Sequence, residues 1–156
     1  MDSSPNESLQ PDEVLNIVPQ ISRAVQPGLE YSKIARILVN GQEGKIVLFY
    51  AREPWGFALV RTQPCFEGIC SEAAQVEALV LTPGNEAKLP TAVQILDGLA
   101  WEWGYSRLVV PVNTAYRQAT QILLREGFRV IRTRLRMLYR SEPMDCTVVN
   151  LSSWIM

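Results

Sequence analysis

Blocks of apolar residues along the chain predict several strands of ordinary length. Residues 45–52 (KIVLFYAR), 56–61 (GFALVR) and 72–81 (EAAQVEALVL) are rich in aliphatic and aromatic residues, a composition typical of strands. The first two are separated by Glu53-Pro54-Trp55, which is short enough for a hairpin. None of these runs approaches the roughly 20 apolar residues of a membrane helix, so we expect no membrane span.

Other segments have apolar residues at helical spacing. In the first of them Pro19 is expected to kink the helix or end it early. Gly104 suits the end of the third helix, and Asn113 or Thr114 is expected to N-cap the fourth. The segments with this spacing are residues 12–21, 31–38, 90–103 and 115–127.

Later apolar segments complete a predicted sheet. Residues 108–112, 128–140 and 147–154 have the composition of strands. The order of the elements predicts an α/β fold with a mixed, mostly antiparallel central sheet flanked by helices. Residues 1–10 are polar and are expected to form a disordered tail, which leaves residues 11–156 as a single domain.

Charge and composition exclude several classes of partner. The chain has 15 basic and 16 acidic residues, a net charge of −1, so no strong field would attract nucleic acid or an anionic membrane. The polar start of the chain lacks the pattern of a secretory signal, which predicts a cytoplasmic protein.

The residue types available for catalysis are restricted, because the chain contains no histidine. Its three cysteines, Cys65, Cys70 and Cys146, lack the close pairing typical of zinc or redox sites, so we expect no metal. Nucleophile systems that depend on histidine are excluded. A general base would therefore be a carboxylate, a tyrosine, a lysine or a water molecule.

Residues 45–140 resemble the GCN5-related N-acetyltransferases, the GNAT superfamily. The resemblance rests on a strand that ends at Thr82-Pro83, a helix, a strand over residues 108–112, and a helix that ends at Gly127-Phe128, together with the hairpin strand WGFALV. It implies the GNAT fold, acetyl-CoA as cofactor and an amine substrate. It also implies that strands 76–81 and 108–112 are parallel neighbours that splay just beyond Pro83, where the pantetheine arm of the cofactor lies.

The phosphate-binding loop departs from the family pattern. Counted from Pro83, the family's arginine and three glycines fall on Glu86, Ala87, Leu89 and Thr91. The following proline, at position 90, removes one backbone N–H, and Glu86 places a negative charge where a pyrophosphate would bind. We therefore expect weak acetyl-CoA binding at best. Changing Glu86 to arginine together with Leu89 to glycine is expected to strengthen it.

Candidate catalytic residues follow from the same resemblance. Glu77 matches a strand carboxylate that serves as the general base in some members, although pairing with an arginine is an alternative. The tyrosine that protonates the leaving thiolate in many members is replaced by Leu123, which cannot donate a proton. Tyr116 lies on the same helix, where it could contact a ligand or simply pack.

Candidate cofactor-binding residues lie at the strand, the loop and the next helix. Lys88 is the one favourable loop residue, although it could equally be a solvated charge, and Asn113 could contact a ligand or cap a helix. The complete predicted set is Leu79, Val80, Leu81, Lys88, Thr91, Ala92 and Asn113.

Two functions remain open from the sequence. The first is a GNAT-like N-acetyltransferase whose acetyl transfer to an unknown amine is weak or lost. The second is a non-catalytic regulatory or dimerising module on the same fold.

A homodimer is expected because residues 154–156 (WIM) are apolar and the usual first strand of the family is missing. Arg132, Arg134 and Arg136 alternate along a predicted strand, where they could bind an acidic ligand or pair with the chain's own carboxylates.

Overall fold

The computed structural model describes residues 11–28, 30–62, 72–133 and 150–152. Within these residues the helices are α1 (Pro11–Val25), α2 (Ser32–Asn40), α3 (Leu89–Glu102) and α4 (Arg117–Arg125), and a short 3-10 turn, Glu86–Lys88, precedes α3. The strands are β1 (Gly44–Tyr50), β2 (Pro54–Arg61), β3 (Ala73–Leu81), β4 (Arg107–Val109) and β5 (Asn150–Ser152). No helix of the described residues is both long and apolar enough to span a bilayer.

The sheet is mixed and mostly antiparallel, as the sequence predicts. Its order is β1-β2-β3-β4, and β5 also pairs with β3. The first three strands are antiparallel neighbours, whereas β4 runs parallel to β3. Strand β3 is therefore central, and its parallel pairing with β4 confirms the neighbourhood that the resemblance implied.

Both faces of the sheet are covered by helices. Side chains of β3 alternate between the faces: Leu79 and Leu81 pack with residues of α3 and α4, while Ala78 and Val80 pack with residues of α1 and α2. This double burial explains why residues 76–81 form a nearly continuous apolar run in the sequence. Only Glu77 interrupts it.

Two predicted helix ends differ from the structure: Pro19 does not end α1 early, which leaves the kink as the other outcome expected there, and the predicted N-cap of α4 is wrong. Helix α1 continues through Pro19 to Val25, because Val18 and Ile21 on either side of the proline are buried against the sheet. Burial of such side chains offsets much of the loss of about 3 kcal/mol that proline causes inside a helix. Neither Asn113 nor Thr114 caps α4, whose N-cap residue is Tyr116; the Asn113 side chain instead accepts the Ala115 N–H at 2.9 Å.

The last part of the chain matches the predicted strands only in part. Residues 128–133 are not a strand. The rest of the strand expected over residues 128–140 lies outside the described residues, as do residues 1–10 and 63–71. Within the strand expected over residues 147–154, the described part is β5.

Candidate active site

The site predicted by the resemblance lies where β3 and β4 separate. The two strands pair from Ala73↔Arg107 to Gln75↔Val109, and β3 then continues alone to Leu81. Separation thus begins after Gln75, well before the expected position at Pro83. Because the strands are parallel, their carboxyl ends lie at the same edge of the sheet, where α3 and α4 also begin.

The gap between the separated strands is occupied by the chain itself. Strand β5 pairs antiparallel with β3, with Leu151 opposite Leu79, and it covers residues 78–80. The Leu151 side chain is completely buried among the residues beneath α3 and α4. The backbone edge of Leu79 and Val80, which the sequence assigned to cofactor binding, is therefore bonded to a strand of this protein. No local pattern in the sequence indicates that pairing.

Glu77 lies at a β-bulge. Leu59 of β2 faces Ala78, whereas Val60 faces Val76, so Glu77 is the extra residue between the two pairs. Its side chain is 3% exposed, and its Oε1 accepts a hydrogen bond from Arg61 Nε at 2.7 Å. The structure therefore places Glu77 in the alternative arrangement considered from the sequence, an ion pair with an arginine.

Arg61 links two carboxylates of different exposure. Its Nη1 donates to Glu43 Oε2 at 3.0 Å, and the Glu43 side chain is 44% exposed. The hydrogen bond to Glu77 raises the pKa of Arg61 above its usual range, and the bond to Glu43 acts in the same direction. Arg61 is therefore a permanent cation that compensates the buried charge of Glu77.

Several hydrogen-bond donors of the loop after β3 bond to acceptors of the loop itself. The backbone N–H of Gly84 donates to the Glu86 carboxylate at 3.0 Å, in a turn where Gly84 has a positive φ of 86°. Asn85 Nδ2 donates to Thr82 Oγ1 at 2.8 Å. A carboxylate of the chain thus binds a backbone donor just before the positions 86–91 that the resemblance assigns to the cofactor's phosphates.

The start of α3 contributes two surface residues and two core residues. Lys88 and Thr91 are exposed, and the Lys88 ammonium lies 5.1 Å from the centre of the Trp55 ring. Leu89 and Ala92 are completely buried in the cluster beneath α3 and α4. The predicted cofactor residue Ala92 can therefore offer a ligand only its backbone.

Side chains on one side of α4, and that of the residue before it, are buried in the core. Tyr116 is 5% exposed and belongs to the same apolar cluster. Leu123, at the position of the family's tyrosine acid, is also buried there. Asn113 remains partly exposed ahead of the helix. The fold thus places the loop and the start of α4 at the carboxyl end of β3, whereas Glu77 lies in the middle of that strand, and few of the predicted side chains are accessible.

Other places in the described residues offer no competing catalytic cluster. We find no group of three or more histidine, cysteine, aspartate or glutamate side chains in these segments that could hold a metal ion. An open pocket of about 460 Å³ lies on the α1 and α2 side, away from the strand gap, and none of the predicted site residues lines it. Its lining residues are Asp12, Leu15, Asn16, Arg36 and Asn40.

Comparison with solved structures finds the same fold in several acetyltransferases. An aminoglycoside N-acetyltransferase, AAC(6')-Iy, in complex with a CoA-based bisubstrate analogue, has a TM-score of 0.62 and 14% identity, over 84% of this chain and 93% of that one. A ribosomal-protein-alanine N-acetyltransferase from Brucella melitensis biovar Abortus 2308 has a TM-score of 0.58 and 14% identity, over 84% and 96%. An acetyltransferase from Trypanosoma brucei has a TM-score of 0.59 and 18% identity, over 84% and 96%. No family model and no curated protein matches the sequence.

These similarities confirm the predicted architecture. The chain has the fold of the GNAT N-acetyltransferases. The TM-scores of 0.62 and 0.59 establish the fold, and because the identities are only 14% and 18% the activity has to be argued from the site.

Proposed function

We propose that this protein is a GNAT-fold acetyltransferase relative in which transfer of an acetyl group from acetyl-CoA to an amine is weak or lost. The observation that carries the proposal is the bond between the Gly84 N–H and the Glu86 carboxylate. An anion site needs backbone N–H groups that point at the ligand and are free to bind it. Here the Gly84 N–H, which lies just before the positions matched to the family's loop, holds the Glu86 carboxylate and so fixes a negative charge at the start of that loop.

Electrostatics strengthen this argument. A pyrophosphate near Glu86 would meet a like charge, which costs about 1 kcal/mol at 4 Å in water and more where solvent is excluded. Lys88 offers partial compensation, but its ammonium is held over the Trp55 ring. Pro90 provides no N–H in the first turn of α3. Binding of acetyl-CoA is therefore expected to be weak.

The chemical step is also poorly supported. Leu123 supplies no proton to a departing thiolate. Glu77 could accept a proton from an amine only with one carboxylate oxygen already bonded to Arg61. An ammonium substrate would also approach the permanent charge of that guanidinium. The lack of a proton donor at Leu123 and the pairing of Glu77 with Arg61 therefore both favour slow acetyl transfer or none.

Calorimetry with acetyl-CoA tests the proposal. We expect a Kd above about 100 μM for the unmodified protein, and about threefold to tenfold tighter binding for Glu86→Gln, which removes the like charge. Glu102→Gln is the matched control, because Glu102 is exposed at the far end of α3 and should leave the affinity unchanged. Low-micromolar binding by the unmodified protein, together with acetylation of a polyamine, would show that the loop is functional.

A non-catalytic dimerising module is the second candidate, and one observation favours it. Trp101 is 74% exposed on α3 and Leu124 is 52% exposed on α4, two neighbouring helices. Large exposed apolar side chains are typical of interfaces. Sedimentation at micromolar concentration should then show a dimer of the 17.6 kDa chain, which Trp101→Glu weakens and Glu102→Gln does not. A monomer under these conditions would exclude this candidate.

A further inference from the structure

Charge is distributed unevenly along the chain, although its total is close to zero. Residues 1–102 contain 13 acidic and seven basic residues, whereas residues 103–140 contain eight arginines, no lysine and a single acidic residue, Glu126. A charge asymmetry of this kind indicates a surface for a partner of opposite charge. Helix α4 lies within the basic segment.

The solvent side of α4 is basic and carries no acidic side chain. Ala119 and Leu123 are buried on the opposite side of the helix. Neither Arg117 nor Arg125 forms an ion pair with a carboxylate of the described residues. The exposed residues of the helix, which we call the α4 face, are Arg117, Gln118, Gln121, Leu124 and Arg125.

The one acidic residue next to this face bonds to another helix. Glu126 directly follows α4, and its Oε2 accepts a hydrogen bond from Gln94 Nε2 of α3 at 2.9 Å. None of the ion pairs among the described residues involves Arg117, Arg125 or the nearby Arg129. The charges of the α4 face are therefore available to an external carboxylate.

Arg117 stands at a position where it does not favour the helix. It is the first residue of α4, and neither an acidic residue in the first turn nor a side-chain cap at Tyr116 offsets its charge. A cation at a helix N-terminus is unfavourable because it opposes the helix dipole. Conflicts of this kind with local stability are typical of functional positions. An external anion therefore explains Arg117 better than the stability of α4 does.

The surroundings of the arginines favour a protein partner over a nucleic acid. Leu124, which is 52% exposed beside Arg125, needs an apolar group to cover it, and the α4 face has no aromatic side chain on which a base could stack. The positive field is also local, because the whole chain has a net charge of −1 and salt screens exposed charges beyond about 8 Å. A long polyanion would extend past this field. A two-fold contact between the α4 faces of two copies would bring their arginines together.

We infer that the α4 face binds an acidic segment of another protein, one in which apolar residues accompany the carboxylates. Arg117 and Arg125 lie about 12 Å apart along the helix axis, so they pair with carboxylates at a similar separation while an apolar residue between these covers Leu124. Arginine suits this role because its planar guanidinium donates two parallel hydrogen bonds to a carboxylate. The surface does not depend on acetyl-CoA, so this inference and the proposed function stand or fall separately.

Two labelled peptides test the surface in the full-length chain. Each has about 15 residues, the length at which an isolated helix becomes marginally stable. The first contains glutamate and alanine, and the second has leucines at helical spacing in place of some alanines. By fluorescence anisotropy we expect a Kd below about 100 μM for the leucine peptide at about 0.02 M salt, at least about threefold tighter than for the alanine peptide, and weaker binding at about 0.15 M salt. Absence of binding by both peptides at low salt would overturn the inference.

Two double variants with the same change of charge locate the binding. Arg117→Gln/Arg125→Gln should weaken binding of the leucine peptide by at least about tenfold. Arg23→Gln/Lys33→Gln is the control and should change it less than about twofold, because these exposed side chains lie on α1 and α2, which cover the other face of the sheet. Circular dichroism checks that both variants fold. Equal losses in the two variants would mean that net charge alone attracts the peptide, contrary to the inference.

Arg117→Glu separates a role in binding from a role in the fold. An acidic residue in the first turn of a helix is favourable, so this variant should unfold at a higher urea concentration than the unmodified protein. It should nevertheless bind the leucine peptide at least about tenfold more weakly, since it reverses a charge of the α4 face. A lower urea midpoint with unchanged peptide binding would show that Arg117 serves the fold and would contradict the inference.

Other occupants of the α4 face give different results. A DNA strand of about 20 nucleotides that binds as tightly as the leucine peptide, with the same loss in Arg117→Gln/Arg125→Gln, would assign the face to nucleic acid and refute a protein partner. Peptide binding that falls as the protein is concentrated into a range where sedimentation shows a dimer would assign the face to a second copy, again against the inference. Weak acetyl-CoA binding, or tight binding with acetyl transfer, would leave all of these outcomes unchanged.

Discussion

Replacing Arg61 by methionine is expected to lower the free energy of unfolding by about 3–5 kcal/mol. The reason is the burial of Glu77, which is 3% exposed and receives the Arg61 Nε–H bond at 2.7 Å. Removing one member of a buried ion pair leaves the other charge desolvated without compensation. Urea denaturation followed by circular dichroism measures the loss.

Two further variants show whether the buried charge is the cause. Glu43→Gln removes the half-exposed partner of Arg61 and should cost no more than about 1 kcal/mol. Arg61→Met combined with Glu77→Met removes both members of the buried pair and should recover much of the stability lost in the single variant. If the double variant is as unstable as Arg61→Met, lost packing of the arginine side chain, and not the stranded charge, causes the effect.

The order of helices and strands could be predicted because the signals are local. A hairpin with a short turn and a helix closed by Gly104 depend on neighbouring residues, and the structure contains both. The continuation of α1 through Pro19 is different, because it depends on burial against a sheet that is distant in sequence. The helix propensity of a single residue does not include the free energy of burial against a distant part of the chain.

The candidate site was less predictable because it depends on register and on contacts between distant segments. The sequence identified Glu77 as a strand carboxylate, but its partner Arg61 lies on another strand, and the bulge that presents it arises from the pairing with β2. The pairing of β5 with β3 involves three residues of a distant segment in the part of the chain that the structure describes. By contrast, Glu86 was identified through the family resemblance, by counting from Pro83, and the structure adds its bond to Gly84.

The burial of Leu89 could have been predicted from helical spacing, but the comparison with the family pattern led to a different assignment. Helix α3 buries Leu89, Val93, Leu96 and Ala100 along one face, and this spacing is visible in the sequence. Counting from Pro83 instead assigned Leu89 to a glycine of the phosphate loop. The structure places its side chain in the core, so the two changes expected to repair the loop are not equivalent.

Leu89→Gly is expected to destabilise the protein by about 3–6 kcal/mol, with about 2–5 kcal/mol from the lost side chain and about 1 kcal/mol from glycine in a helix. Leu89 is 0% exposed and packs within the cluster beneath α3 and α4. Since domains of this kind are stable by about 5–15 kcal/mol, the change could remove most of the total. Thr91→Gly, at an exposed position in the same helical turn, is the control and should cost about 1 kcal/mol or less.

Chemical denaturation of the two variants checks this expectation. A loss below about 1 kcal/mol for Leu89→Gly would mean that the core closes around the missing side chain, a relaxation that reduces the cost of cavities. The expected large loss would instead show that Leu89 holds α3 against β3. A glycine at position 89 would then weaken the scaffold of the loop before it could improve phosphate binding, and Glu86 would remain the position at which the loop can be altered without loss of the fold.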